Sequence, residues 1–142
     1  RSFISDLEDD KLNPLPSVEI ISRIQEFLKE NKSFDIIFTH NKNGEYGHIR
    51  HIEVHNAVKE MLEKNLIQCK QLFFFDYQQI ERKNTDTGFE VDVNENADKL
   101  IKLNNFELLK KKELIHNVYG FQKGGFEERT CKNIESFSKK IK

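Results

Sequence analysis

The run Phe34-Asp35-Ile36-Ile37-Phe38-Thr39 leads straight into His40-Asn41-Lys42-Asn43-Gly44-Glu45-Tyr46-Gly47-His48-Ile49-Arg50-His51, and the fold turns on how that junction is read. The first six residues are mostly apolar, β-branched or aromatic, which suits a short buried strand. Upstream of it Ile20, Ile21, Ile24, Phe27 and Leu28 recur at helical spacing. Ser17 stands where an N-cap belongs, Glu19 falls in the first turn, and Lys29 and Lys32 lie near the end, as the helix dipole favours. Downstream a polar, glycine-containing loop, residues 41–47, carries the chain to a second helical stripe of Val54, Val58, Met61 and Leu62, with His51 and His55 at its amino-terminal end. Gln71-Leu72-Phe73-Phe74-Phe75-Asp76-Tyr77 then reads as a second buried strand. Helix, strand, helix and strand in this order predict a right-handed crossover that lays strands 34–39 and 72–76 parallel, adjacent and buried. The fold class expected is an α/β, Rossmann-like layered sandwich with a mostly parallel sheet.

The flanking segments are less regular. Residues 1–16 show no sustained period and carry both prolines, Pro14 and Pro16, so they read as a connector that stops where the first helix starts. Residues 81–88 are a polar, charged loop, whereas Phe89-Glu90-Val91-Asp92-Val93 alternates as an edge strand does, and residues 94–98 make a turn. Within 99–120, Leu100, Ile101 and Leu103 fit either a strand end or a helix start. Asn105 as N-cap, Leu108, Leu109, Ile115 and Val118, with Gly120 as stop, predict a helix over the second half. After a loop at 121–125, Phe126, Thr130, Ile134 and Phe137 suggest a last helix that frays into Lys139-Lys140-Ile141-Lys142.

A chain of 142 residues is expected to build one domain, 1–142. It begins at Arg1 and runs into the acidic Asp6-Leu7-Glu8-Asp9-Asp10, which suggests a truncated amino terminus. Charged residues make up 33%, but 24 acids against 23 bases leave a net charge of -1, which offers nucleic acid no general attraction. No apolar run reaches the ~18 to 20 residues of a membrane span, and no signal peptide is evident. Two cysteines, Cys69 and Cys131, fit a reducing compartment, so a cytoplasmic protein is expected.

Residues 39–55 hold four of the five histidines. Imidazole is the commonest zinc ligand and titrates near neutral pH, so such a cluster suggests a metal or proton-transfer site. His48 and His51 are three apart and His51 and His55 four apart, a spacing that aligns them on one helical face. A lone imidazole on an apolar face is more often a hydrogen-bonded core residue, and His55 is read so. A self-contained zinc site of His48, His51 and His55 is disfavoured because the His-Glu-x-x-His spacing is not met: Glu53 follows His51 by two residues.

Thr39-His40-Asn41, Gly44-Glu45-Tyr46-Gly47-His48 and His51 together resemble the second signature of the LmbE-like, or PIG-L, family of zinc-dependent deacetylases, which remove acetyl groups from N-acetylglucosamine-containing substrates. The likeness runs over residues 13–77, where helix, strand, loop and helix follow in the family's order, and thins beyond. It implies that His51 is a zinc ligand and that the catalytic His48 stabilises charge on the tetrahedral intermediate. It places Glu45 and Tyr46 at the mouth of the site in reach of substrate, although as residue types they suit a surface charge and a packing ring equally well. His40 and Asn41 would support the site from behind. Two features depart from the pattern. His48-Ile49-Arg50-His51 stands where many members read His-Pro-Asp-His, and the family's first signature, which supplies two zinc ligands and the general base, is not found. A catalytic zinc needs three protein ligands and an open position. The chain is then expected to be the carboxy-terminal piece of a zinc-dependent deacetylase acting on an N-acetylated sugar conjugate, or a non-catalytic carbohydrate-binding or scaffolding relative of it.

Overall fold

The computed structural model describes residues 3, 5–9, 11–83, 85 and 87–140. The expected amino-terminal truncation at Arg1, one residue of the acidic run, Asp10, and the expected fraying at Ile141 and Lys142 lie outside them. The chain forms two compact units, Arg1–Phe74 with Lys139–Lys142, and Phe75–Ser138.

The first unit contains α1 (Ser17–Leu28), β1 (Ser33–Thr39), the single turn α2 (Gly44–Gly47), α3 (Ile49–Glu63) and β2 (Gln68–Phe75), whose last residue begins the second unit. The apolar stripes read from the sequence become its core: Ile20 and Ile21 of α1 pack on Ala57, Val58 and Met61 of α3 and on Ile67. The edges of α1 differ from expectation. Pro16 occupies the N-cap position, Ser17 is the first helical residue, and its hydroxyl donates to Glu60 Oε2 of α3 (2.5 Å) instead of capping. Lys29, at φ 54°, ends the helix, so neither it nor Lys32 lies in the last turn.

Strands β1 and β2 are parallel and adjacent, with Phe34 opposite Cys69, Ile37 opposite Leu72 and Thr39 opposite Phe74. The strand joined by α3 was legible, but β2 begins four residues earlier than the expected strand 72–76, at Gln68, and ends before Asp76. From Ile36 onward, burial of β1 is one-sided. Side chains alternate across a strand, so Ile37 joins the core and Thr39 is buried, while Ile36 and Phe38 are each 46% exposed. Phe38 stacks on Phe73 of β2 at 5.3 Å.

The second unit contains β3 (Tyr77–Glu81), β4 (Phe89–Val93), β5 (Lys99–Lys102), α4 (Asn105–Glu113) continuing into a π-helical turn (Leu114–Val118), α5 (Phe126–Thr130) and β6 (Ile134–Lys139), whose last residue belongs to the first unit. Strand β3 pairs antiparallel with β4, Tyr77 opposite Val93 and Glu81 opposite Phe89. Strand β5 pairs antiparallel with β6, Lys99 opposite Phe137. The ambiguity at 99–103 resolves as a strand followed by a helix. The N-cap is Asn104, one residue earlier than expected, and it forms a capping box with Glu107.

The mostly parallel Rossmann-like sandwich is therefore corrected: this is a mixed α/β chain with one parallel pair, β1 with β2, and the other pairs antiparallel. A parallel pair needs a long crossover, which α3 supplies; β3 and β4 are joined by a short connection, as antiparallel neighbours can be. The expected last helix is also corrected. It stops at Thr130, and residues 134–139 are strand β6. Five residues of helix are marginal without tertiary support. The ladder to β5 and Ser136, wholly buried with its hydroxyl bonded to the Asp76 carbonyl, favour the extended form.

Candidate metal centre

Strand β1 ends at Thr39 and delivers His40 to the loop, α2 folds back over it, and α3 starts immediately after His48. Two consecutive residues take positive φ, Gly44 at 60° and Glu45 at 60°. At Gly44 a side chain has no room: a Cβ there would sit 2.8 Å from Cγ1 of Ile52. This close approach presses α2 against the first turns of α3 and sends the Glu45 side chain inward.

Glu45 is only 7% exposed. Its Oε2 accepts from Nδ1 of His40 (2.9 Å) and Nδ1 of His51 (2.6 Å), and its Oε1 accepts from the Asn41 N–H (2.9 Å). Burial acts to raise the Glu45 pKa, but the hydrogen bonds from His40, His51 and the Asn41 amide outweigh it and hold it at about 2. The His40 and His51 rings stack face to face, centroids 3.8 Å apart and 13° from parallel. Ligand atoms of His40, Glu45 and His51 lie within 4.8 Å of one another, so this group could hold a metal ion.

The other sequence-singled residues gather around it. His48 occupies the N-cap position of α3, its ring 4.5 Å from that of His51. Its Nδ1 is buried without a hydrogen-bond partner among the described residues, and its Nε2 lies 3.9 Å from Asp9 Oδ1. Burial, and then the neighbouring His51, push the His48 pKa below its ordinary value. Tyr46 sets its ring edge-on to both His48 and His51, 5.6 Å from each. Asn41 contributes its backbone N–H to Glu45, and its side chain accepts from the Lys42 N–H. His55 stands apart. It is buried, its Nδ1 bonds the His40 carbonyl (2.8 Å) and its ring packs on Phe74, so it is a satisfied core residue that fixes the end of β1 to α3.

Two features were not legible in the sequence. Glu45, expected at the mouth of the site, lies behind the imidazoles as their shared acceptor; only the positive φ of the Gly44-Glu45 turn directs it there. Arg50, the cation in place of the expected acid, is buried and forms an ion pair with Glu53, while its guanidinium donates to the Asn13 carbonyl (3.0 Å). Glu53 in turn accepts the Leu15 N–H (2.8 Å). The pair thus ties the connector before α1 to the start of α3.

No family model, no curated protein and no solved structure matches this chain. Among the described residues no helix is long and apolar enough to cross a membrane.

Proposed function

We propose that this chain carries part of a zinc-dependent deacetylase site that hydrolyses the N-acetyl group of an N-acetylglucosamine-containing conjugate. The observation that carries the reading is the pairing of two imidazoles in different states. His51 is hydrogen-bonded through Nδ1 to a buried carboxylate, as a metal-binding imidazole is, while His48 beside it keeps a buried Nδ1 without a partner among the described residues. The resemblance of residues 39–51 to the LmbE-like signature supports the substrate class.

The residues fit a zinc ion in part. Imidazole is a zinc donor, and His51 supplies it, with His40 beside it and Glu45 accepting from Nδ1 of both rings; a catalytic site further needs three ligands and an open position. Zinc, when bound, supplies an activated water and polarises the acetyl carbonyl. His51 would hold the metal. His48, whose pKa burial pushes below its ordinary value, would donate a ring N–H to the carbonyl oxygen as charge develops there. Tyr46 walls the site beside both rings.

In the intact protein, His48→Ala should keep zinc and lose on the order of 10²- to 10³-fold in turnover, whereas His51→Ala should lose zinc and activity together. Zinc content measured beside the deacetylation rate of an N-acetylglucosamine conjugate separates the two. Equal zinc loss in both variants would make His48 a ligand, and absence of hydrolysis by the zinc-loaded intact protein would overturn the deacetylase reading.

A further inference from the structure

We propose that Glu45 is the positioning carboxylate of this site: by accepting the Nδ1–H of both His40 and His51 it fixes both rings in the Nδ1–H tautomer, which leaves Nε2 of His51 to the metal. A neutral imidazole carries one ring proton, so the nitrogen that donates to a carboxylate determines that the other holds the lone pair. Here one oxygen, Oε2, serves both rings, at 2.9 and 2.6 Å, and Oε1 is taken by the Asn41 N–H at 2.9 Å. Three accepted bonds on a 7% exposed carboxylate leave it ill placed to meet a substrate and make it a support for the rings.

The surroundings are built to hold this arrangement. The Glu45 N–H is itself tied to Asn43 Oδ1 (3.1 Å). Its backbone sits at φ 60° and ψ -52°, a conformation that costs a non-glycine residue on the order of 1 to 3 kcal/mol and persists only where neighbouring structure enforces it. The 3.8 Å stack of His40 on His51 leaves neither ring free to flip without breaking contact with the other. A carboxylate behind a ligating histidine orients it and raises its basicity, and losing one costs about 10- to 100-fold in metal affinity. The metal half of this inference rests on the zinc reading above; the tautomer half does not.

The test uses the metal-free chain first. Nitrogen-15 and carbon-13 NMR of the imidazoles should find His40 and His51 as Nδ1–H tautomers in the wild type. In Glu45→Gln, whose amide cannot accept all three N–H groups, at least one ring should move to the Nε2–H form. Chelator competition with zinc alone should then show about 10- to 100-fold weaker binding in Glu45→Gln. An Nε2–H form of both rings in the wild type, or unchanged tautomers in the folded variant, overturns the proposal. Switched tautomers with unchanged zinc affinity overturn its metal half. Should Glu45→Gln fail to fold, the wild-type tautomers decide alone. Should zinc bind neither protein, the tautomers still decide the role of Glu45 while the zinc reading fails separately.

Discussion

Glu45 and the histidines around it set how this protein responds to acid. The Glu45 pKa is held at about 2, below the ordinary carboxylate value of 4.5. A group depressed in the folded state stabilises it above the unfolded pKa, and that stabilisation, on the order of 3 kcal/mol, is lost as pH falls from about 4.5 toward 2. His48 and His55 are also depressed, in each case first by burial. A histidine kept neutral by folding contributes fully above its ordinary value near 6.5 and loses that contribution as pH drops below it. Denaturant melts followed by far-UV circular dichroism should therefore show falling stability from pH 7.5 to 5.5 and a second fall below pH 4.5, with Glu45→Gln reducing the second, to which the lowered Glu8, Glu60 and Glu128 also contribute. Stability that rises on acidification would contradict both assignments. His55→Ala, which leaves the His40 carbonyl without its partner, should cost about 1 to 3 kcal/mol and leave zinc binding unchanged.

Among the elements, α2 depends on the least replaceable residue. Gly44→Ala meets both a positive φ and the 2.8 Å contact with Ile52, so it should destabilise by about 1 to 3 kcal/mol and disturb the His51 imidazole resonances; native-like shifts with unchanged melting would show that the turn adapts. In the second unit, Asn104 caps α4 reciprocally with Glu107. Asn104→Ala should cost about 1 kcal/mol, seen as faster amide exchange over the first turn of α4. The sequence showed a helix here but placed its cap one residue late, because Asn104 and Asn105 are the same residue type and only the backbone decides which one turns.

For the molecule as a whole, the core of the first unit and the uncovered face of β1 make opposite predictions. Met61 is fully buried among the residues of α1 and α3, and Met61→Ala should cost about 2 to 5 kcal/mol. Ile36 is 46% exposed on the other face of β1, and its strand lies at the edge of its sheet. Ile36→Thr keeps the β-branched shape, should leave stability within about 0.5 kcal/mol, and should lower self-association in sedimentation velocity. A large loss of stability in Ile36→Thr would mean that this face is packed in solution.

The sequence by itself determined the local elements that carry a strong period: α1, α3 and the two apolar strands that α3 joins in parallel. It also collected His40, Glu45, Tyr46, His48 and His51 in one stretch of twelve residues, because proximity along the chain made proximity in space unavoidable. Tertiary structure alone decided the rest. The direction of β6 comes from a ladder between distant residues, and residues 134–139 fit a helical period as well as a strand until β5 pairs with them. Which groups of the loop face inward was equally unwritten: backbone torsions at Gly44 and Glu45 turned a carboxylate expected at the mouth of the site into the buried acceptor of two imidazoles, since side-chain direction follows φ and ψ and not residue type.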